Sequence, residues 1–314
     1  MSTVRRRESA AIGMCLVAAL LIVPVQDRVH GWLGEMGPAA DILYFGSPSA
    51  VKKMALGFDG LLADIYWMRA IQYYGRRDEA ARRAVPYSNL AALLDITSTL
   101  DPGMTDVYRT GSAFLAEPAP IGAGQPEEAI KLLDKGIGRN PGDWCLFLDK
   151  GFIYFWFMMD YKKAGDVWLS ASRLSASPPW MEGLAASALS KGGEVDTAKM
   201  LWQHQLEQSS RAEVRENARN HLLSIEVDET LWTLEFFIHK YREKYGRLPG
   251  ELADLVKAGF LRVAPDDPSG VPYAYEPSSG NVRLSPNTGV HYLLVPHQYR
   301  DAYLRKIGDA TLFK

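Results

Sequence analysis

The sequence predicts a mainly α chain, a solenoid of about four helical pairs followed by a small α+β C-terminal domain with a β-hairpin. Three observations predict it. Ala129, Ala164 and Ala198 stand 35 and 34 residues apart, and each is followed four residues later by a bulky side chain, Leu133, Trp168 and Trp202. Between and before these positions, apolar residues recur at steps of three and four, the period of a helix with a buried face. Towards the C-terminus the period changes to two. Tyr273 and Tyr275 alternate with smaller neighbours, residues 277–280 form a turn, and Val282 and Leu284 alternate on the return strand.

The elements follow in chain order. Residues 1–9 form a basic tip with Arg5, Arg6 and Arg7, and residues 10–25 (AAIGMCLVAALLIVPV) carry no charge. Sixteen helical residues span roughly 24 Å, short of a hydrocarbon core of about 30 Å but compatible with it when flanking arginines reach outwards. The run is read as an uncleaved transmembrane signal anchor, because Val23-Pro24-Val25 lacks the small-residue end of a cleavage site; a removed signal peptide is the other reading. The arginines stay in the cytoplasm, so the chain after Val25 is expected on the outer side of a bacterial cytoplasmic membrane, in the periplasm or outside. Met14 precedes Cys15 where a lipoprotein signal needs a smaller residue. Residues 26–57 form a juxtamembrane linker whose Trp32, Tyr44 and Phe45 suit either the lipid headgroups or the first helical pair.

Residues 58–210 hold the helical pairs. Phe58 to Tyr74 and Pro86 to Leu100 make the first, joined by a long basic connection. Met104 to Ala116, with Gly111, and Glu127 to Pro141 make the second, across the loop EPAPIGAGQP. Asp143 to Met159 (DWCLFLDKGFIYFWFMM) is apolar nearly all round and is expected to lie sandwiched between neighbours, with Gly151 as its small residue. Tyr161 to Pro178 follows. Pro179 to Ser190 starts on prolines suited to a first turn and ends before Gly192 and Gly193. Glu194 to Gln208 closes the array, with Gln205 where a small residue is expected. Small residues let helices approach, and the bulky residue a turn later fills the space beside them.

This spacing resembles the tetratricopeptide repeat. Ala129, Leu133, Gly136 and Pro141 fall on the small, bulky, small and proline positions of the second helix. Ala164, Trp168 and Ala171 repeat it with a late Pro178, and Ala198 and Trp202 carry a degenerate last unit. The resemblance implies a concave surface lined by first helices that holds extended or helical peptides. Its groove positions correspond to Tyr66, Arg69 and Tyr73, then Tyr108 and Ser112, then Leu148, Phe152, Phe155 and Trp156. Interior packing is the competing reading for the aromatic ones. The lysine and asparagine clamp for an acidic peptide terminus is not visible, and a groove that exposes Phe152, Phe155 and Trp156 would take an apolar ligand.

Residues 211–245 are read as two C-terminal helices, Ala212 to Ile225 and Glu229 to Tyr245, the second striped by Leu231, Leu234, Ile238, Tyr241 and Tyr245. Residues 246–314 form the small α+β domain. From Tyr245 the order Tyr245-Gly246, Leu248-Pro249, then Gly259-Phe260-Leu261-Arg262 and Pro265, then Asp267-Pro268, Gly270, Pro272 and Tyr273 resembles the globular head of type II secretion major pseudopilins. That resemblance implies a long helix, a turn, a short helix and a hairpin. The family's N-terminal processing site is absent, and its acidic calcium loop has no counterpart in Ser285 to Gly289. A head of pseudopilin type joined to a repeat array is expected, rather than a pilin subunit.

A net charge of −2 and a pI near 6.3 argue against a nucleic-acid surface, and the cluster Arg76, Arg77, Arg82 and Arg83 is interrupted by Asp78 and Glu79. No zincin pair occurs among His30, His204, His221, His239, His291 and His297, and there is no phosphate loop or G-x-S-x-G elbow. Asp59 and Asp64 are not on one helix face, and Asp266 and Asp267 suit a turn. Cys145 sits in an apolar helix as a core residue. Neither catalysis, cofactor nor metal is expected. Protein partners through the repeat groove or the C-terminal domain, and the membrane through residues 10–25, are. The chain reads as a non-catalytic scaffold for a pilus-like or secretion machine, with an accessory recruiting subunit of an envelope enzyme or polysaccharide export complex as the alternative.

Overall fold

The computed structural model describes residues 47–75, 87–293 and 298–312, with positions 20, 21, 24, 25, 27 and 28. Most of the segment expected to be an anchor, and the basic connection at 76–86, lie outside the described residues. Among the described residues no helix is long and apolar enough to cross a membrane. The described residues are mainly helical, with one two-stranded antiparallel sheet near the C-terminus. It divides into two compact units, so the stretch read as one array at 58–210 is split between them. One comprises Met1–Asp101 with Ala119–Ala123, the other Pro102–Pro118 with Gly124–Lys314.

The first unit contains α1 (Pro48–Met54), α2 (Asp59–Tyr74) and α3 (Leu90–Leu100). Pro48 starts α1 where its missing N–H leaves no vacancy in the helix. On α2 the buried face alternates small and large, Ala63, Tyr66, Ala70 and Tyr73. Tyr87 closes this face, its ring edge-on to Tyr73 at 5.9 Å and stacked on Tyr74 at 5.6 Å. Helix α3 packs on both α1 and α2 and buries Leu90, Leu93, Leu94, Ile96 and Leu100. Thr97, also buried, returns its hydroxyl proton to the Leu93 carbonyl at 2.8 Å.

The second unit begins with six helices: α4 (Thr105–Ala116), α5 (Pro126–Arg139), α6 (Trp144–Phe152), α7 (Tyr161–Ser172), α8 (Met181–Lys191) and α9 (Val195–Gln208). Each packs on the next, and α4 also meets α6. The six residues of the alanine and bulky pattern, Ala129, Leu133, Ala164, Trp168, Ala198 and Trp202, are all buried. Glycines set the approach of four helix pairs. A Cβ on Gly136 of α5 would lie 2.7 Å from the Tyr108 ring of α4, and one on Gly151 of α6 only 2.0 Å from the Trp168 indole of α7. A Cβ on Gly165 of α7 would lie 2.5 Å from Leu189 of α8, and one on Gly183 of α8 would lie 3.0 Å from Gln205 of α9. Gln205 thus occupies the expected small position because Gly183 opposite it supplies the room.

Two expectations are corrected. The two helices expected at 212–225 and 229–245 are one continuous helix, α10 (Ala212–Tyr245). The acidic stretch at 226–229 does not break it, because buried Asp228 accepts a hydrogen bond from the Tyr292 hydroxyl at 2.7 Å and Ser224 Oγ accepts from the Leu293 N–H at 2.8 Å. The stretch from Asp143 to Met159 is not sandwiched throughout. Only α6 is regular; a π-helical turn, Ile153–Phe157, follows it and turns several rings outwards.

Helix α10 carries two cores along its length. Its first half packs Ala218, Leu222 and Ile225 with Ala198 and Trp202, and its second half packs Val227, Leu234, Ile238 and Tyr241 with Leu255, Tyr273 and Val282. Gly246 ends it at φ 70, the left-handed conformation that glycine adopts without strain. Then come α11 (Ala253–Lys257) and the hairpin of β1 (Ala274–Glu276) and β2 (Asn281–Arg283), in register Tyr275 opposite Val282. The Tyr275 hydroxyl donates to the Pro249 carbonyl at 2.8 Å, tying the hairpin to the turn after α10. Helix α12 (Gln298–Leu312) returns along α10, where the Tyr299 hydroxyl donates to Glu229 at 2.6 Å and Arg300 pairs with Glu235 at 2.7 Å.

Candidate docking face

The π-helical turn after α6 builds an exposed aromatic surface on the second unit. Asp143 caps α6 by accepting from the Cys145 N–H at 3.0 Å, and the helix runs regularly to Phe152. Six bulky residues then follow one another, Phe152 to Phe157, and a regular helix would wind them around its whole circumference. The wider π turn sends Ile153 inwards and leaves Trp156 63% and Phe157 38% exposed. Met159, exposed and at φ 53, reverses the chain in a conformation that few non-glycine residues adopt. Asp160 starts α7 by accepting from the Lys163 N–H at 3.0 Å. π turns and strained residues concentrate at functional sites.

Behind the exposed rings stands an ordered aromatic cluster. Phe152 meets Trp168 edge-on at 5.2 Å, and Phe155 lies edge-on to Trp156 at 5.2 Å and to Tyr161 at 5.0 Å. Trp168 is fixed in turn by its indole N–H, which donates to the Leu148 carbonyl at 3.0 Å. Lysines rim the cluster: Lys191 Nζ stands 4.4 Å from the Tyr161 ring centre and 4.8 Å from that of Phe155, while Lys163 stands 5.6 Å from Tyr154. A surface of this kind takes an apolar or aromatic side chain on its rings and tolerates a carboxylate at its edge.

Of the nine groove candidates, Phe152, Phe155 and Trp156 come together here, with half-buried Leu148 beneath them. The others do not line an open groove. Tyr108 is buried against Gly136 with its hydroxyl on the Pro102 carbonyl, and buried Ser112 donates to the Arg109 carbonyl at 2.8 Å. Tyr66 and Tyr73 are buried inside the first unit, and Arg69 lies half-buried with its guanidinium 5.8 Å from the Tyr66 ring. The physical reason is the glycine and alanine spacing, which draws neighbouring helices so close that the rings between them become core. Phe157, Met159, Tyr161 and Lys191 were not singled out by repeat position. The signal for the first three was the run YFWFMMDY, where bulky residues outnumber the positions one helix face can bury.

A concavity of about 210 Å³ opens where the end of α7, the loop before α8, α8, α9 and the start of α10 meet. On its wall Glu182 and His204 pair at 3.0 Å, and Gln205 Nε2 donates to the Pro179 carbonyl at 3.3 Å. Among the described residues no three histidine, cysteine or acidic side chains gather in a metal-binding cluster. Compared with known families, curated proteins and solved structures, the chain matches none.

Proposed function

We propose that this protein is a non-catalytic, membrane-anchored scaffold on the outer side of the cytoplasmic membrane, which docks an apolar segment of a partner protein and assists assembly of a pilus-like or secretion machine. The observation that carries the reading is the face of Phe152, Trp156, Phe157 and Met159 left open on an otherwise closely packed helical array. Aromatic residues grouped on a rigid support are what a hot spot of protein binding requires.

The pairwise packing of α4 to α9 supports a tetratricopeptide-like solenoid, since each helix rests on the next and α4 also touches α6. The tail supports a pseudopilin-like head through its order of elements: a long helix, a left-handed glycine, a short helix, an aspartate turn and a hairpin. Affinity capture from detergent-solubilised membranes, with the intact chain and one ending at Lys244, tests the machine. Loss of pilin-like or secretion proteins from the shorter bait alone is the expected result; the same partners on both baits would contradict a role for the tail.

A further inference from the structure

We propose that the outer face of α2, together with the turn before it, lies in the lipid headgroup layer of the membrane that anchors the chain. The proposal rests on the anchor reading given above and adds a second lipid contact to it. Helix α2 carries apolar residues on two opposite sides, the outer one also bearing exposed Asp64 and Gln72. One side, Ala63, Tyr66, Ala70 and Tyr73, is the core of the first unit. On the other, Leu61, Ile65 and Met68 are 60, 45 and 58% exposed at steps of four and three, and Phe58 extends the stripe one turn back. A soluble helix with one buried face carries polar residues on the other.

The turn ahead of α2 adds to the stripe. Met54, Leu56 and Phe58 project from it around Gly57, and Leu56 is 84% exposed. Leu56 is also held at φ 49, so a large apolar side chain is presented to solvent from a conformation that costs a leucine energy. Among the described residues nothing covers the Leu56 side chain, whereas an apolar phase would. Exposed Lys52 and Lys53 stand just before the turn, and the arginines of residues 76–83 follow the helix in sequence. Apolar residues bracketed by cations are what an interfacial helix presents to anionic lipid.

Nearness in sequence to the expected anchor is what favours the bilayer as the occupant. Residues 26–46 separate the expected anchor from α1, a tether of at most about 75 Å fully extended. A surface held that near the membrane needs only weak intrinsic affinity, because the tether makes the second contact intramolecular.

The test uses the full chain reconstituted in vesicles of neutral and anionic phospholipid, with Cys15→Ser and Cys145→Ser as background. An environment-sensitive fluorophore is placed at Leu61→Cys, Met68→Cys or, for reference, Lys131→Cys. Quenching by nitroxide lipids labelled near the headgroup, together with protection from aqueous iodide, is expected at the first two sites and not at the third. Iodide quenching equal to that at Lys131, or protection without lipid quenching, would overturn the proposal. Carbonate extraction of the same vesicles separates the two lipid contacts. Resistance to extraction without lipid quenching keeps the anchor and refutes the interfacial helix; lipid quenching on an extractable chain does the reverse.

Discussion

The indole of Trp168 lies where a side chain on Gly151 would begin, since a Cβ built there would fall 2.0 Å from Nε1 and 2.4 Å from Cε2. The same indole N–H closes on the Leu148 carbonyl at 3.0 Å, so α7 is keyed to α6 by one glycine and one hydrogen bond. The key also holds the exposed aromatic face in place, because Phe152 and Phe155 both rest on Trp168.

Gly151→Ala is therefore expected to destabilise the second unit by roughly 3 kcal/mol or more, the upper range of overpacking. Denaturant unfolding measures it. Combined with Trp168→Phe, the loss should fall well short of the sum of the two single changes, because the smaller ring relieves the clash. Additive losses would show that the contact is not direct.

Trp202 and His221 give a pH dependence. Their rings stack at 4.2 Å with planes 6° apart, and burial of His221 holds its imidazole down at about 4, below the ordinary 6.5. The unfolded chain then binds more protons than the folded one between those values, so stability is full above pH 6.5 and declines as the pH falls from 6.5 to 4. Allowing for partial exposure of the ring, about 1–2 kcal/mol is at stake. His221→Phe, which keeps the stack, should flatten this part of a stability-against-pH curve.

Asp267 organises the turn before the hairpin. Its Oδ1 accepts from the Ser269 hydroxyl at 2.6 Å and from the backbone N–H groups of Ser269 and Val271 at 2.8 and 3.0 Å. Burial works against the charge, but these hydrogen bonds prevail and hold the carboxyl down at about 2. Asp267→Ala should destabilise the hairpin by about 1–3 kcal/mol, the range for leaving buried donors without an acceptor. Faster amide exchange at Ser269 and Val271 is the readout. In the unaltered chain this contribution is present above the ordinary carboxyl value near 3.8 and is lost as the pH falls towards 2.

Much of this was legible in the chain, for reasons that differ by element. Ala129, Ala164 and Ala198 announced close helix contacts because only small residues recur where backbones approach. Gly165 and Gly183 make contacts just as close but carried no signal, since a glycine inside a helix reads as a weakness until its partner, Leu189 or Gln205, is known. Tyr273, Tyr275 and Val282 disclosed the hairpin through strict alternation, and the register places Tyr275 opposite Val282. The continuity of α10 was hidden, because Asp228 and Ser224 are matched by Tyr292 and Leu293, some 64 to 69 residues on. The exposed aromatic face was half legible: Phe152, Phe155 and Trp156 stand at repeat positions, while the π turn that exposes Trp156 and Phe157 follows from crowding that no periodic pattern records.

Docking of a partner protein on the aromatic face is tested most directly by photo-crosslinking in native membranes, with benzoylphenylalanine at position 156 or 157 and, as reference, at exposed Lys131. Positions 156 and 157 should give the same discrete protein adduct, absent at 131. Adduct formation at 157 should be lost when Trp156→Ser is added, with unfolding of the second unit unchanged. No adduct at 156 and 157, or the same adducts at all three positions, would contradict the scaffold.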